Sequence, residues 1–275
     1  MSKPTHLEPS ELGTKEYWDN LYTTELTNHA HNPSDKGTVW FDDSDAETKL
    51  IDFLSDPDTA QSLSLSPALT SFLDLGTGNG SLLFGLRDAG WSGRMLGVDY
   101  SQQSIQFARR LSQARTSPDS SSDPDSPRDE DNPVEEEEIA FLEHDILHTS
   151  PAALLAGPQA QGWDVVLDKG TFDAISLSSE TDPATGRRVA EFYRSRITPL
   201  VREGGFFLVT SCNWTEAELR DWFKGPAKEG EVDEETRRWR FEQVGRVEYP
   251  SFSFGGVKGQ TISSLCFKKV RNNES

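Results

Sequence analysis

Three glycines at alternating positions, directly after an apolar segment, constrain this chain more than any other feature. The segment 72–75 has the composition of a buried strand, and glycines at 76, 78 and 80 follow it. A second apolar segment, 95–98, ends in Asp99. A strand that breaks into a glycine-rich turn, opens a helix and is followed by a strand ending in a carboxylate is how a wound α/β sheet holds a nucleoside. The pattern therefore predicts an adenosine-containing cofactor.

The spacing of the glycines indicates which cofactor. A dinucleotide-binding turn has the form G-x-G-x-x-G, whereas here Ser81 follows the third glycine of a D-x-G-x-G-x-G run. Asp74, two residues before the first glycine, would repel a diphosphate but suit the cationic end of S-adenosylmethionine. Asp99 can accept from two ribose hydroxyls, since a carboxylate offers two oxygens to paired donors. The alternative is that the glycines serve only a tight turn and close helix packing.

Composition limits the possible partners. The segment 116–138 holds four prolines and ten acidic residues against Arg128, a net charge of −9 out of the chain's −19, which leaves −10 for the rest. With almost no apolar side chains it cannot offset its ordering entropy, so we expect a disordered acidic insertion. The acidic balance argues against nucleic acid. Cys212 and Cys266 lack metal-ligand spacing, and we expect no metal site.

The order of predicted elements gives the fold class. Strand and helix patterns alternate from residue 71 to 210, which predicts parallel strands joined by right-handed crossovers. The last two strand patterns, about 240–249 and 261–267, lack a crossover helix and predict an antiparallel hairpin at one edge. We therefore expect a Rossmann-like, doubly wound α/β sheet of seven strands, mostly parallel. Residues 1–55 read as a helical extension, and 56–275 as the main domain.

Local patterns give two further expectations for the region before the sheet. Ser44 with Glu47 matches a capping box at the start of a helix. The Ser/Pro-rich segment 56–69 predicts a loop. Later in the chain, a helix is expected over 189–201, and Thr215 with Glu218 is expected to cap another that ends near residue 223.

Ligands in such sheets bind beyond the carboxyl ends of the strands. At these ends, Asp145 is placed to accept from the adenine amino group, or else to cap a helix, and Ile146 offers the ring an apolar face. Asp168 follows the predicted central strand and could bind an incoming amine or the methionyl end of the cofactor, and Phe172 could wall the methyl-transfer channel. A turn held by a local ion pair, without a catalytic part, is the alternative for this run.

Aromatic residues in the extension form the last candidate group. Trp18, Trp40 and Phe41 could form a lid over the cofactor, or they could be simple anchors of the extension. The full set of residues expected to bind the cofactor is Trp18, Trp40, Asp74, Gly76, Gly78, Asn79, Gly80, Asp99, Tyr100, Asp145, Ile146 and Asp168.

Several runs of residues in this chain resemble those of a known family. The chain is similar to the seven-β-strand, class I S-adenosylmethionine-dependent methyltransferases and, within them, to the eukaryotic elongation factor 1-alpha lysine methyltransferases of the Efm-four type. The resemblance covers about residues 12–267 without the acidic insertion. The glycine motif marks only the superfamily, whereas the runs 168–171 and 211–215 are typical of a much narrower group of proteins. The runs that carry it are 13–18, 39–41, 74–80, 97–101, 168–174 and 210–215.

The resemblance implies methylation of a lysine on elongation factor 1-alpha in the cytoplasm. We expect a monomer with a protein substrate and without a membrane partner, since no stretch approaches membrane-spanning length. A methyltransferase acting on a small molecule is one alternative. An NAD-dependent oxidoreductase is another, which the position of Ser81 disfavours.

Overall fold

A computed structural model describes residues 6–116, 138–226, 237–254 and 257–272 of the chain. Most of the acidic insertion expected to be disordered, 117–137, lies outside these residues. Within the described ranges, no helix has the length and apolar character that crossing a membrane requires.

The centre of the fold is a mixed sheet. Its strands, with the small hairpin β8–β9, are β1 (Phe72–Leu75), β2 (Met95–Asp99), β3 (Ala140–Glu143), β4 (Trp163–Lys169), β5 (Val201–Ser211), β6 (Gly225–Pro226), β7 (Trp239–Val247), β8 (Ser251–Phe254), β9 (Val257–Gln260) and β10 (Ser263–Arg271). The spatial order is β3-β2-β1-β4-β5-β10-β7-β6. The first five strands in that order are parallel, and the last three pair antiparallel. The predicted sheet of seven strands is confirmed, and the two-residue β6 adds to its edge.

Helices cover both faces of the sheet. The α-helices of the described residues are α1 (Lys15–His31), α2 (Ala46–Ser55), α3 (Pro57–Leu63), α4 (Ser81–Asp88), α5 (Gln102–Thr116), α6 (Thr171–Ser176), α7 (Tyr193–Ile197) and α8 (Glu216–Phe223). Alternate residues of the central strands point to opposite faces, as the period of a strand requires. Thus Phe72 packs with residues of α1, α2, α4 and α5 in one core cluster, and Leu73 packs with residues of α6, α7 and α8 in the other.

Three local expectations were wrong. Ser44 caps no α-helix: it ends a short 3-10 helix, and α2 begins after Asp45, whose side chain makes no capping bond. The expected loop 56–69 contains α3, because the Asp56 side chain accepts from the amide of Thr59. The helix expected over 189–201 is broken into α7 and two 3-10 turns, the second of which contains Pro199, a residue that cannot continue an α-helix.

Candidate functional site

A cavity of about 410 Å³ opens at the carboxyl ends of the parallel strands. The residues that follow β1, β2, β3 and β4 line it on one side. Residues of α1 and of the segment 38–41 line it on the other. This is the edge where wound sheets bind ligands, because the strand order reverses between β1 and β4.

The glycine turn after β1 forms part of the cavity wall. Gly76, Gly78 and Gly80 all have positive φ angles, of 65°, 59° and 82°. A Cβ at Gly76 would lie 2.0 Å from the hydroxyl oxygen of Thr171, and a Cβ at Gly78 would lie 2.7 Å from that of Tyr22. Only glycine fits the backbone at positions 76 and 78.

The cavity contacts part of the glycine motif. Gly76, Gly78 and Asn79 line it, whereas Gly80 caps the start of α4 behind it. The Asn79 side chain donates to the carbonyl of Lys36 at 2.9 Å and accepts from the Ser81 amide at 3.1 Å. It thereby joins the turn to the segment after α1.

Asp99 lies at the end of β2 and lines the cavity beside Tyr100. One carboxylate oxygen accepts from the amide of Gly78 at 3.2 Å and the hydroxyl of Ser104 at 2.9 Å, and the other accepts from the amide of Ser101 at 2.9 Å. Burial raises the pKa of Asp99, and these three donors oppose that shift. A carboxylate has about four acceptor positions, so one remains for a ligand.

Asp145 and Ile146 line the cavity after β3. The Asp145 carboxylate accepts from the amides of Leu147 at 2.9 Å and His148 at 3.1 Å, so it also caps the following turn. The His148 ring bridges Asp145 at 3.0 Å and Glu180 at 2.8 Å, and these bonds raise the pKa of His148.

Trp18 and Trp40 lie on the cavity wall with their ring centroids 5.0 Å apart. Trp18 is fixed by its indole N–H, which donates to the carbonyl of Leu12 at 2.8 Å. Phe41, the next residue of the same wall, has a φ of 66°. A bulky residue in this region is a genuine outlier, and such strain persists where surrounding contacts enforce it.

Lys169 supplies one such contact. Its ammonium donates to the carbonyl of Trp40 at 3.1 Å and lies 3.3 Å from a carboxylate oxygen of Glu47. The end of β4 thus holds residues 40–47 against the sheet. Asp74 lies behind the cavity wall, 3% exposed, and burial raises its pKa to about 7, although the charge of Lys169 opposes this shift.

The structure places Asp168 and Phe172 behind the cavity wall, away from the ligand position expected for them. Asp168 is 1% exposed and accepts from the amides of Thr171 and Phe172 and from the Tyr193 hydroxyl at 2.6 Å. Its carboxylate therefore fixes the start of α6, and burial raises its pKa to about 7. Phe172 is fully buried and stacks on Tyr193 at a centroid distance of 5.4 Å.

Other residues that the sequence did not single out lie in the cavity instead. Lys169 is the last residue of β4, Asp173 lies in the first turn of α6, and Cys212 and Asn213 follow β5. All four residues lie in the runs 168–174 and 210–215, which the resemblance had already marked. The sequence does not show which residues of such a run face a cavity. Their placement depends on where α6 begins.

Residues 67–247 match a family described as "Methyltransferase domain". The protein-lysine N-methyltransferase EFM4 of Saccharomyces cerevisiae is 38% identical over 98% of this chain and 99% of its own length. This chain belongs to the EFM4 family of class I methyltransferases.

Other members of the EFM4 family match over similar lengths. EEF1A lysine methyltransferase 2 of Danio rerio is 32% identical over 98% of this chain and 92% of its own length. The fold also matches a magnesium protoporphyrin IX methyltransferase from Synechocystis solved with bound S-adenosylmethionine, with a TM-score of 0.50 over 92% of this chain and 95% of that one, at 14% identity. The predicted class of enzyme and its cofactor, S-adenosylmethionine, are confirmed, and the oxidoreductase alternative is excluded.

The residues of the cavity fit S-adenosylmethionine. The turn at Gly76 and Gly78 has no side chain that would fill the space beside β1. Asp99 keeps one acceptor position for a hydroxyl group. Ile146 and Trp18 supply apolar surface for a flat ring and a thioether carbon chain.

Proposed function

We propose that this protein transfers a methyl group from S-adenosylmethionine to the side-chain nitrogen of a lysine in translation elongation factor 1-alpha. The observation that carries the proposal is the similarity over nearly the whole length of both chains to relatives that are named for this activity. The cavity at the carboxyl ends of the strands supports it, because a lysine side chain can enter a pocket that a folded surface cannot.

In this proposal, Asp99 uses its remaining acceptor position for one ribose hydroxyl. Asp145 accepts from the adenine amino group, with Ile146 against the ring. Tyr100 lies beside the sugar position. Asp74, Gly80 and Asp168, which lie behind the wall, act on the ligand through the turns that they fix. We expected Asp168 and Phe172 to be catalytic residues. In this proposal they are positioning residues instead, since the Asp168 carboxylate accepts from the amides of Thr171 and Phe172 and so fixes the start of α6.

The bound cofactor supplies a methyl group made electrophilic by its sulfonium. The protein provides proximity and alignment for an in-line displacement. It must also favour the neutral amine, because a lysine with an ordinary pKa of about 10.4 is almost wholly charged at neutral pH. The aromatic wall of Trp18, Trp40 and Phe41 excludes water from the nitrogen, and desolvation lowers the pKa of an ammonium.

We further propose that residues 1–55 act as a lid on the main domain, 56–275. The strained backbone of Phe41 and the contacts of Lys169 to the 40–47 segment support this. The enzyme would act as a monomer in the cytoplasm, where translation elongation takes place.

The test is transfer of radiolabelled methyl groups to unmethylated recombinant elongation factor 1-alpha, with the modified position mapped by mass spectrometry. We expect label on a lysine of the factor, and none when that lysine is replaced by arginine. Label found only in the small-molecule fraction of a cell lysate would support the small-molecule alternative and refute the proposal.

A further inference from the structure

A buried carboxylate lies on the β4–β5 side of the cavity, across the switch point from Asp99 and Asp145. Asp173 belongs to the first turn of α6, and it lines the cavity together with Cys212 and Asn213, which follow β5. The hydroxyl of Thr171 donates to the carbonyl of Leu75 at 2.6 Å and brings the start of α6 against the glycine turn. Asp173 is therefore near the glycine turn after β1, but it is separate from Asp99 and Asp145, the residues proposed to hold the adenosine.

The hydrogen-bond donors around Asp173 are all neutral. One carboxylate oxygen accepts from the hydroxyl of Ser211, and the other accepts from the amide of Cys212 at 2.8 Å. The thiol of Cys212 and the amide of Asn213 also act on this carboxylate, and all of these donors oppose the effect of burial on its pKa. Asp168, by contrast, accepts from two amides and a tyrosine hydroxyl and does not line the cavity.

The charge of Asp173 is also uncompensated. It is 5% exposed, and among the described residues no Lys, Arg or His lies within 4.0 Å of its carboxylate. Asp164, a half-buried carboxylate, is paired with Arg202. A buried carboxylate without a cation is costly, and burial raises the pKa of Asp173. A cationic ligand that enters the cavity would remove that cost.

We propose that Asp173 binds the ammonium group of the target lysine. This inference rests on the proposed function. The ammonium loses one proton to water as it enters the cavity, before the aromatic wall excludes water from it. The carboxylate then holds a remaining N–H so that the nitrogen lone pair faces the methyl carbon. The nitrogen–carbon bond then forms as the sulfur–carbon bond breaks, and the bonding pair stays on sulfur, which becomes a neutral thioether. Ser211 and the Cys212 amide keep the carboxylate in place.

The experiment is a double-mutant cycle on binding to the enzyme saturated with S-adenosylhomocysteine. The enzyme variant is Asp173→Asn, which keeps the shape and removes the charge. The substrate variant of elongation factor 1-alpha replaces the mapped lysine with methionine. Asp221→Asn, an exposed carboxylate on α8, is the matched control for net charge. Methylation kinetics with separate KM and kcat values, and the Kd for S-adenosylhomocysteine, complete the set.

We expect Asp173→Asn to weaken binding of the lysine substrate by about 10-fold to 100-fold, the range for hydrogen bonds to charged groups. It should leave binding of the methionine substrate and of S-adenosylhomocysteine within about twofold. Equal effects on both substrates would overturn the inference, because they indicate a structural role. If Asp173→Asn fails to fold, the wild-type enzyme provides the test. Equal affinity of the wild-type enzyme for the lysine and methionine substrates would refute the inference. A wild-type enzyme that methylates no lysine refutes the proposed function itself.

Discussion

The glycine turn offers a perturbation whose size can be worked out from the structure. Gly78→Ala places a Cβ 2.7 Å from the hydroxyl oxygen of Tyr22, a side chain only 5% exposed. The left-handed backbone costs an L-residue about 1–2 kcal/mol. Overpacking against this buried side chain adds about 1–3 kcal/mol. We therefore expect the free energy of unfolding to fall by about 2–5 kcal/mol.

Gly90→Ala is the matched control. Gly90 also has a positive φ, of 92°, but a Cβ there meets nothing within 4 Å. This variant should lose only the backbone term of about 1–2 kcal/mol. Urea denaturation gives both values.

The two variants should also differ in cofactor binding. The Gly78 amide donates to Asp99, so a displaced turn moves the carboxylate that we propose binds the ribose. Calorimetric titration with S-adenosylhomocysteine should show at least about tenfold weaker binding for Gly78→Ala, which corresponds to about 1.4 kcal/mol, and no change for Gly90→Ala. Equal stability losses and equal affinities in the two variants would refute this reasoning.

Three further predictions follow from the wall of the cavity. Asp99→Asn should weaken cofactor binding by about 10-fold to 100-fold in calorimetry, since it removes a charged acceptor, and an unchanged Kd would contradict the ribose-binding role. Lys169→Met should lower the free energy of unfolding by about 1–3 kcal/mol in urea denaturation and speed proteolysis near residues 38–45, because it leaves the Glu47 carboxylate without its cation. Adding Glu47→Gln should restore part of the loss, because the neutral amide at position 47 needs no cation. The folded-state pKa of Asp74, about 7, lies above its ordinary value of 3.8, so its contribution to stability is fully present below about pH 4 and is lost as the pH rises to about 7. The stability of Asp74→Asn in urea denaturation should therefore gain on that of the wild type between about pH 4 and 7 and then level off. Parallel pH dependences over that range would be inconsistent with this assignment.

The sequence predicted the sheet because its signals are local. The apolar segments before Gly76 and Asp99 are strands in the structure, and the glycine turn lines the cavity at their carboxyl ends. The capping pattern at Thr215 and Glu218 forms a full capping box at the start of α8. In each case neighbouring residues alone determine the conformation.

The sequence failed where distant contacts decide. Glu47 matched a capping box with Ser44, but its carboxylate accepts from the Ser81 hydroxyl at 2.6 Å and pairs with Lys169 instead. Asp168 was expected at the ligand, yet the start of α6 and Tyr193 use its carboxylate. The distant partners, Ser81 and Lys169 for Glu47 and Tyr193 for Asp168, are not visible from residue spacing.

Calorimetric titration of the purified full-length protein with S-adenosylhomocysteine and, separately, with NAD tests the central claim most directly. The claim is that the cavity at the carboxyl ends of β1 to β4 holds the methyl donor of this family. The expected result is saturable binding of one S-adenosylhomocysteine per chain, weakened by Asp99→Asn, and no heat from NAD. No binding of S-adenosylhomocysteine, or binding that Asp99→Asn leaves unchanged, would contradict it.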